Sequence, residues 1–308
     1  MTASKAQSGP DGPAQRAADP GSPGQSLPPG LHLLATPIGA ARDMTLRALD
    51  ILRTADVLAA EDTRSLRRLM DIHAIPLGGR PLLPYHDHNG PTMRPRLMAA
   101  LAEGRSVAYA PEAGTPLVAD PGYQLVRAAV DAGHAVHAAP GPSALLAALA
   151  VSGLPSDRFL FAGFPPAQAG PRKRWMAELA AVPATIVLYE SPKRIYRTLG
   201  ELCDVWGSER AAALCRELTK RFEEVRRGTL GSLAAGLAEG EMRGEIALVV
   251  DRDRAAGAGQ ERIEAMLRSR LDGMSLKAAV AEVAAASGAP RRDVYQTALR
   301  ISRNEGEA

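Results

Sequence analysis

Four short segments rich in proline and glycine are places where bare backbone can meet a ligand. They read Ala35-Thr36-Pro37-Ile38-Gly39-Ala40, Ala110-Pro111-Glu112-Ala113-Gly114-Thr115-Pro116, Ala139-Pro140-Gly141-Pro142-Ser143 and Tyr189-Glu190-Ser191-Pro192. Each follows an apolar run of strand character. Proline stiffens the chain and glycine removes side-chain bulk, so such turns present N–H and C=O groups directly. Singly, each is an ordinary turn. Four of them along one sheet edge predict a pocket built largely from backbone.

Two polar clusters add side-chain chemistry. Glu61-Asp62-Thr63-Arg64 ends a strand and opens a helix, where backbone amides and Arg64 can receive a phosphate, unless Asp62 or Thr63 simply caps the helix. In His86-Asp87-His88-Asn89 the two imidazoles point the same way from an extended stretch. No second ligand cluster accompanies them, so no metal is expected and the histidines read as binding or cleft-shaping groups.

Missing motifs narrow the chemistry. No G-x-G-x-x-G follows a strand, no G-x-x-x-x-G-K-[ST] occurs, and Gly141-Pro142-Ser143-Ala144-Leu145 lacks the second glycine of a hydrolase elbow. Neither H-E-x-x-H nor clustered C-x-x-C is present. Hydride transfer, nucleotide hydrolysis and serine hydrolysis are all disfavoured.

These loops need a scaffold, and the 308 residues, 46% hydrophobic and 23% charged, are enough for about two domains. That composition excludes a fully disordered chain or a fibre. The longest apolar stretch, Ser143 to Leu154, is far shorter than the ~20 residues of a membrane span. Two cysteines, Cys203 and Cys215, make neither a disulfide framework nor a thiolate zinc site, and a reducing cytoplasm is expected. Net charge is +3, which permits a polyanionic partner without demanding one.

Residues 1–30 lack an apolar core and are expected to be a disordered tail without a secretory signal. From Leu31, LHLLA (31–35), DVLAAE (56–61), SVAYA (106–110) and AVHAA (135–139) alternate with helical stretches, which predicts a mostly parallel sheet over 31–154. Its ligand site belongs beyond the carboxyl ends of the strands. After a break at Gly153-Leu154-Pro155, strands near 159–164, 184–190, 212–218, 223–230 and 245–251 predict a second α/β subdomain over 155–251, more mixed in direction. Residues 252–260 read as a linker. Ser275 then caps one helix, and Gly288-Ala289-Pro290 separates it from another that starts with Arg291 and Arg292. This is a helix-turn-helix or a small helical cap.

The segments ATPIGAARDMTLRALDIL, ADVLAAEDTRSLRRLM, HDHN, EAGTPLVADPGYQLV, PGPSALLAAL, GLPSDRFLFAGFPP, YESPKRI, CRELTKRFEEVRRGTL and GEIALVV occur in this order. Together they resemble the tetrapyrrole methylase superfamily, specifically its ribosomal RNA small-subunit (cytidine-2′-O)-methyltransferase branch, across residues 31–251. The resemblance implies two class III methyltransferase α/β subdomains with S-adenosylmethionine (SAM) in the cleft between them, a small C-terminal helical domain and a homodimer. It implies methyl transfer to a cytidine ribose 2′-oxygen in the decoding region of 16S ribosomal RNA, with the small ribosomal subunit as partner, and neither metal nor membrane.

Position by position, the resemblance places Ile38, Glu112, Thr115, Pro116, Ser143, Ala144, Tyr189 and Leu218 near SAM. Ile38 and Leu218 are equally readable as core, and Ser143 as a helix cap. The family's usual Ser-Asp is Pro111-Glu112 here, which keeps the carboxylate one methylene longer and loses a backbone donor. Glu61, Asp62, Arg64, His86, His88, Asn89, Arg291 and Arg292 are expected on the RNA side. Glu217 and Lys220 are the candidate catalytic groups, Lys220 through its charge, and no general base is assignable. The few aromatics, 4% of residues, argue for reading RNA by shape and phosphate rather than by a broad stacking surface. Two other readings are a tetrapyrrole C-methyltransferase, disfavoured because Thr36-Pro37-Ile38-Gly39 replaces its glycine-rich loop, and a non-catalytic ribosome-assembly factor.

Overall fold

The computed structural model describes residues 26–119, 122–237, 242–252, 254–271, 273–287 and 289–306. It divides into two compact units, Met1–Ser143 and Ala144–Ala308.

The first unit holds β1 (Gly30–Leu34), β2 (Val57–Ala60), β3 (Leu82–Pro84), β4 (Ser106–Ala110) and β5 (Val136–Ala139) in the order β3-β2-β4-β1-β5. Every neighbouring pair is parallel. A parallel sheet must be covered on both faces, and β1, β2 and β4 are buried throughout. Alternation divides their side chains. Leu34, Leu58, Ala108 and Ala110 face a core with Leu52 of α1 (Leu46–Thr54) and Met70 of α2 (Thr63–Ile72). Leu31, Leu33, Val57 and Tyr109 face Leu97 of α3 (Gly90–Ala102) and Leu125 of α4 (Tyr123–Asp131). Each such leucine contributes roughly 1.5–3 kcal/mol by leaving water. His32 and His137, register partners on β1 and β5, stack with ring centroids 4.7 Å apart.

The second unit holds β6 (Phe159–Gly163), β7 (Thr185–Glu190), β8 (Ala211–Arg216), β9 (Glu224–Thr229) and β10 (Ile246–Val250) in the order β6-β7-β10-β8-β9. Only β6 and β7 are parallel; the other pairs are antiparallel. Met176 of α6 (Ala169–Ala180), Leu199 and Trp206 of α7 (Ile195–Trp206) and Leu230 of α8 (Leu230–Ala235) cover one face. Between α6 and α7, the buried Arg172 guanidinium donates to Glu201 Oε1 at 2.7 Å and to the carbonyls of Pro166 at 3.1 Å and Ala167 at 2.7 Å. A three-helix cluster completes the unit. α9 (Arg254–Leu271), α10 (Leu276–Ser287) and α11 (Arg291–Gly306) enclose Leu267, Val280, Val283, Val294, Ala298 and Ile301.

The structure departs from the sequence expectations at four places. Residues 1–25 of the expected tail lie outside the described residues, but residues before Leu31 already pack on the sheet: Leu27 is buried in the first core and His32 Nε2 bonds the Pro28 carbonyl at 2.9 Å. Strand β3 was not anticipated, because three residues beside Pro81 show no period. The 252–260 segment is not a linker throughout, since α9 begins at Arg254; its alanines and the following Gln-Glu-Arg-Ile favour helix enough to carry two glycines. Finally, the units divide before α5 (Ala144–Ser152), not after Leu154, because α5 packs on β7, β8, β9 and β10.

Candidate functional site

In the first sheet, β2 leads through α2 to β3 at one edge, whereas its neighbour β4 leads through α4 to β5 at the other. Adjacent strands that send their chains apart open a crevice at their carboxyl ends. Glu61 follows β2 and Glu112 follows β4, and the Glu112 N–H donates to Glu61 Oε2 at 3.0 Å. The Glu112 side chain itself is exposed.

The proline-glycine loops meet here through backbone. Thr36, after β1, forms an antiparallel bridge with Gly114, after β4, at 2.9 and 3.0 Å. Thr36 Oγ1 also donates to the Pro111 carbonyl at 3.3 Å. Thr115 Oγ1 donates to the Pro142 carbonyl at 2.9 Å, which ties in the loop after β5. Two glycines make this possible. Gly114 has φ +82°, and a Cβ on Gly141 would lie 2.9 Å from the Ala35 Cβ. Ile38 is buried, and its Cγ2 lies 3.5 Å from where a Gly114 Cβ would be. Pro116 is buried, whereas Thr115 and Ser143 are half-buried.

Beside these loops is a cavity of about 370 Å³, lined by Thr36, Pro37, Gly39, Pro111 and Glu112, and across from them by Ser65, Arg68 and apolar residues of α2. This volume is within the roughly 300–1,000 Å³ of small-molecule sites. The sequence alone does not single out Ser65 or Arg68, and it marks Thr36 only as part of the loop after β1. The glycines of the loops were the signal that backbone approaches closely.

The flanking residues have local partners. Asp62 caps α2, accepting from Arg64 N at 2.8 Å and Ser65 N at 3.5 Å, while the Arg64 guanidinium folds back onto Asp62 at 3.0 Å. The Arg64 side-chain hydrogen bond holds the Asp62 carboxyl below its ordinary range. Asn89 closes the turn after edge strand β3, accepting from His86 N at 2.9 Å and donating to the Pro84 carbonyl at 3.1 Å. His86 and His88 lie edge to face at 6.1 Å, and His86 Nδ1 is buried without a hydrogen-bond partner. Among the described residues, no group of three or more His, Cys, Asp or Glu is placed to hold a metal ion.

In the second unit the predicted residues sit at the ends of β7 and β8 and the start of α5. Tyr189 packs edge to face on Phe161 and Phe164 at 4.8 and 5.7 Å, and burial pushes its phenol above the ordinary range. Ala144 opens α5. Leu218 is buried between Glu217 and Thr219, which adopt φ +51° and +63°. Glu217 Oε1 accepts from Glu245 N and from Lys220 Nζ, both at 2.9 Å, and Lys220 also reaches Glu245 Oε2 at 3.1 Å. The Glu245 amide, with Lys220, holds the Glu217 carboxyl below its ordinary range. Burial alone would lower Lys220, but the carboxylates of Glu217 and Glu245 outweigh it and raise it. Neither group is therefore tuned as a general base near neutrality. Gly244, at φ +86°, leaves room for Glu217: a Cβ there would overlap its carboxyl group. Arg291 and Arg292 start α11, apart from these strand ends in the chain.

Comparison with known proteins gives these loops a context. The tetrapyrrole (corrin/porphyrin) methylase family matches residues 30–234, and the RsmI C-terminal HTH domain matches residues 257–302. The ribosomal RNA small subunit methyltransferase I of Mesorhizobium japonicum is 46% identical over 286 residues, 92% of this chain and 96% of that protein. Among solved structures, the methyltransferase CobJ superposes with a TM-score of 0.57 at 17% identity, covering 72% of this chain and 94% of that one. Uroporphyrin-III C-methyl transferase from Thermus thermophilus, complexed with S-adenyl homocysteine, gives 0.50 at 21% identity, covering 72% and 97%. At those identities the two structures speak for the fold alone. The parallel sheet with its backbone-walled loops, the mixed second sheet and the terminal helices thus have one common source: the chain belongs to the tetrapyrrole methylase family, and within it to the ribosomal RNA small subunit methyltransferase I group.

Proposed function

We infer that the protein is a SAM-dependent methyltransferase of 16S ribosomal RNA in the small subunit, acting on the ribose 2′-oxygen of a cytidine in the decoding region. The observation that carries this reading is the 46% identity to the Mesorhizobium enzyme, which extends over 92% of the chain and so reaches into the terminal helices. The S-adenyl homocysteine held by the Thermus enzyme, the demethylated form of the donor, supports the same donor here.

The residues present fit such a donor. Gly114 takes a φ of +82° that favours glycine, Gly141 packs its backbone where a Cβ would press on Ala35, and the exposed Glu112 is free to accept from donor amino or hydroxyl groups. When bound, SAM supplies an electrophilic methyl group for in-line attack, the O–C bond forming as the S–C bond breaks, with the electron pair left on the thioether sulfur and the hydroxyl proton passing to solvent. Ile38, Thr115, Pro116 and Ser143 shape the wall, and Thr36 positions it by bridging β1 and β4. Lys220 is the electrostatic group we assign to the attacking oxygen, with Glu217 as the residue that positions it. Arg64, His86 and His88 are assigned to RNA.

The homodimer belongs to the same reading. Tyr123 and Val130, seven residues apart and thus on one face of α4, are both more than half exposed, which suits a second copy. Among the described residues, no helix is long and apolar enough to cross a membrane; the cytoplasmic location belongs to the same reading through its ribosomal substrate.

The test is to incubate the protein with methyl-labelled SAM and undermodified small ribosomal subunits, then digest the RNA to nucleosides. Label in 2′-O-methylcytidine is expected. Tight subunit binding with neither SAM binding nor incorporation would turn the reading to an assembly factor.

A further inference from the structure

Between the amino ends of α10 and α11 is an open groove of about 850 Å³, lined by Ser275, Leu276, Lys277, Val280, Arg291, Arg292 and Tyr295. We propose that this groove holds an unpaired nucleotide of the RNA, its base stacked on Tyr295 and its flanking phosphates on Lys277, Arg291 and Arg292. The proposal rests on the ribosomal RNA reading above and deepens it.

Three observations carry it. First, charge is concentrated without being neutralised. Lys277, Arg291 and Arg292 have no ion-pair partner among the described residues, whereas Arg270 of α9 and Arg300 of α11 are paired with Glu282 of α10 and Glu264 of α9. Asp293, in the first turn of α11, does not line the groove. Three cations gathered around one hollow repel each other until an anion enters. Second, Tyr295 is 43% exposed although its helix buries Val294 and Ala298 on either side. An aromatic ring held on a rigid helix, with Leu276 and Val280 in the lining, offers a flat apolar face to a base. Third, the geometry suits single-stranded RNA. A helix-turn-helix reads duplex DNA by inserting a helix into the major groove, but the A-form major groove is too narrow for that. An unpaired nucleotide can instead enter the open groove at the amino ends of α10 and α11.

The experiment uses the full chain and a short single-stranded ribooligonucleotide carrying 2-aminopurine, whose fluorescence is quenched by stacking. The same strand annealed in a duplex and an acidic peptide serve as comparisons. Quenching with the single strand is expected, with Tyr295→Ala abolishing it and weakening binding roughly tenfold while Tyr295→Phe retains both. Lys277→Ala and Arg292→Ala should weaken binding and flatten its salt dependence without removing the residual quench. Wild-type binding that Tyr295→Ala leaves unchanged would overturn the inference while leaving the RNA reading intact. Equal affinity for the acidic peptide, without quenching by RNA, would also overturn it in favour of a protein partner. No binding of the oligonucleotide or of small subunits by the wild type would instead remove the RNA reading itself.

Discussion

The strand ends of the two sheets are built from different materials. After β1, β4 and β5 the loops are fastened by backbone bridges and short hydroxyls, Thr36 to Gly114 and Thr115 to Pro142, with glycine at the crowded points. After β7 and β8 the fastening is ionic: Glu190 binds Arg194 and Thr198, and Glu217 binds Lys220 and the Glu245 amide. Backbone fastening leaves a smooth wall that fits a small, fixed molecule. Ionic fastening fixes charges in place but is sensitive to loss of any one partner. One protein thus has two ways to hold a loop, with different weaknesses.

That contrast can be broken most strongly in the second unit. Replacing Arg172 with Met leaves Glu201 and two carbonyls without their donor, and the expected loss is about 3 kcal/mol, read from the midpoint of urea unfolding. In the first unit, Gly114→Ala meets only ordinary contact at Ile38 but must keep φ at +82°. It should cost ~1–2 kcal/mol in the same assay and weaken SAM binding as well. If Gly114→Ala proved harmless to both, the backbone wall would lose its basis.

Acid sharpens the comparison. Burial is the main cause that holds the His32 imidazole below its ordinary value, with the stacked His137 adding to it. Its neutral form is favoured by folding, so the unfolded chain binds the extra proton first. Stability from His32 is thus fully present above the ordinary histidine value of about 6.5 and is lost as pH falls through the lower folded value. Glu217 follows the same sign in a more acid window: its depressed carboxyl stabilises above about 4.3 and that contribution fades below it. Unfolding midpoints followed from pH 7 downward should therefore decline in two stages, and His32→Gln should remove the first. The smallest effect is chemical. Cys215 is buried and its thiol is pushed up to about 11, whereas Cys203 is partly exposed. Iodoacetamide at pH 8 should label Cys203 in the native protein and reach Cys215 only after unfolding.

Much of the first unit was legible because its strands are apolar on both faces. LHLLA, DVLAAE, SVAYA and AVHAA read directly as β1, β2, β4 and β5. Short β3, which follows Pro81 and ends on Pro84, carried no period, and α9 was hidden by the glycines at 257 and 259. The loops of the site were legible as proline and glycine beyond strand ends. Their fastening was not, since Thr36 and Pro111 are 75 positions apart and nothing local to either residue predicts the bond. The same applies to Arg68, which joins Glu112 around one cavity only once α2 packs on the sheet. Asp62 was ambiguous between capping and binding, and in the structure it caps.

The central claim is that the donor is held by a backbone wall at the carboxyl ends of β1, β4 and β5. The most direct test is calorimetric titration of SAM into the Gly141→Ala protein, where the added methyl would press on Ala35. Overpacking of that kind costs ~1–3 kcal/mol of stability, and the loop shift that relieves it displaces the wall, so an affinity loss of about tenfold is predicted in a protein that remains folded. Unchanged affinity would contradict the claim and place the donor elsewhere.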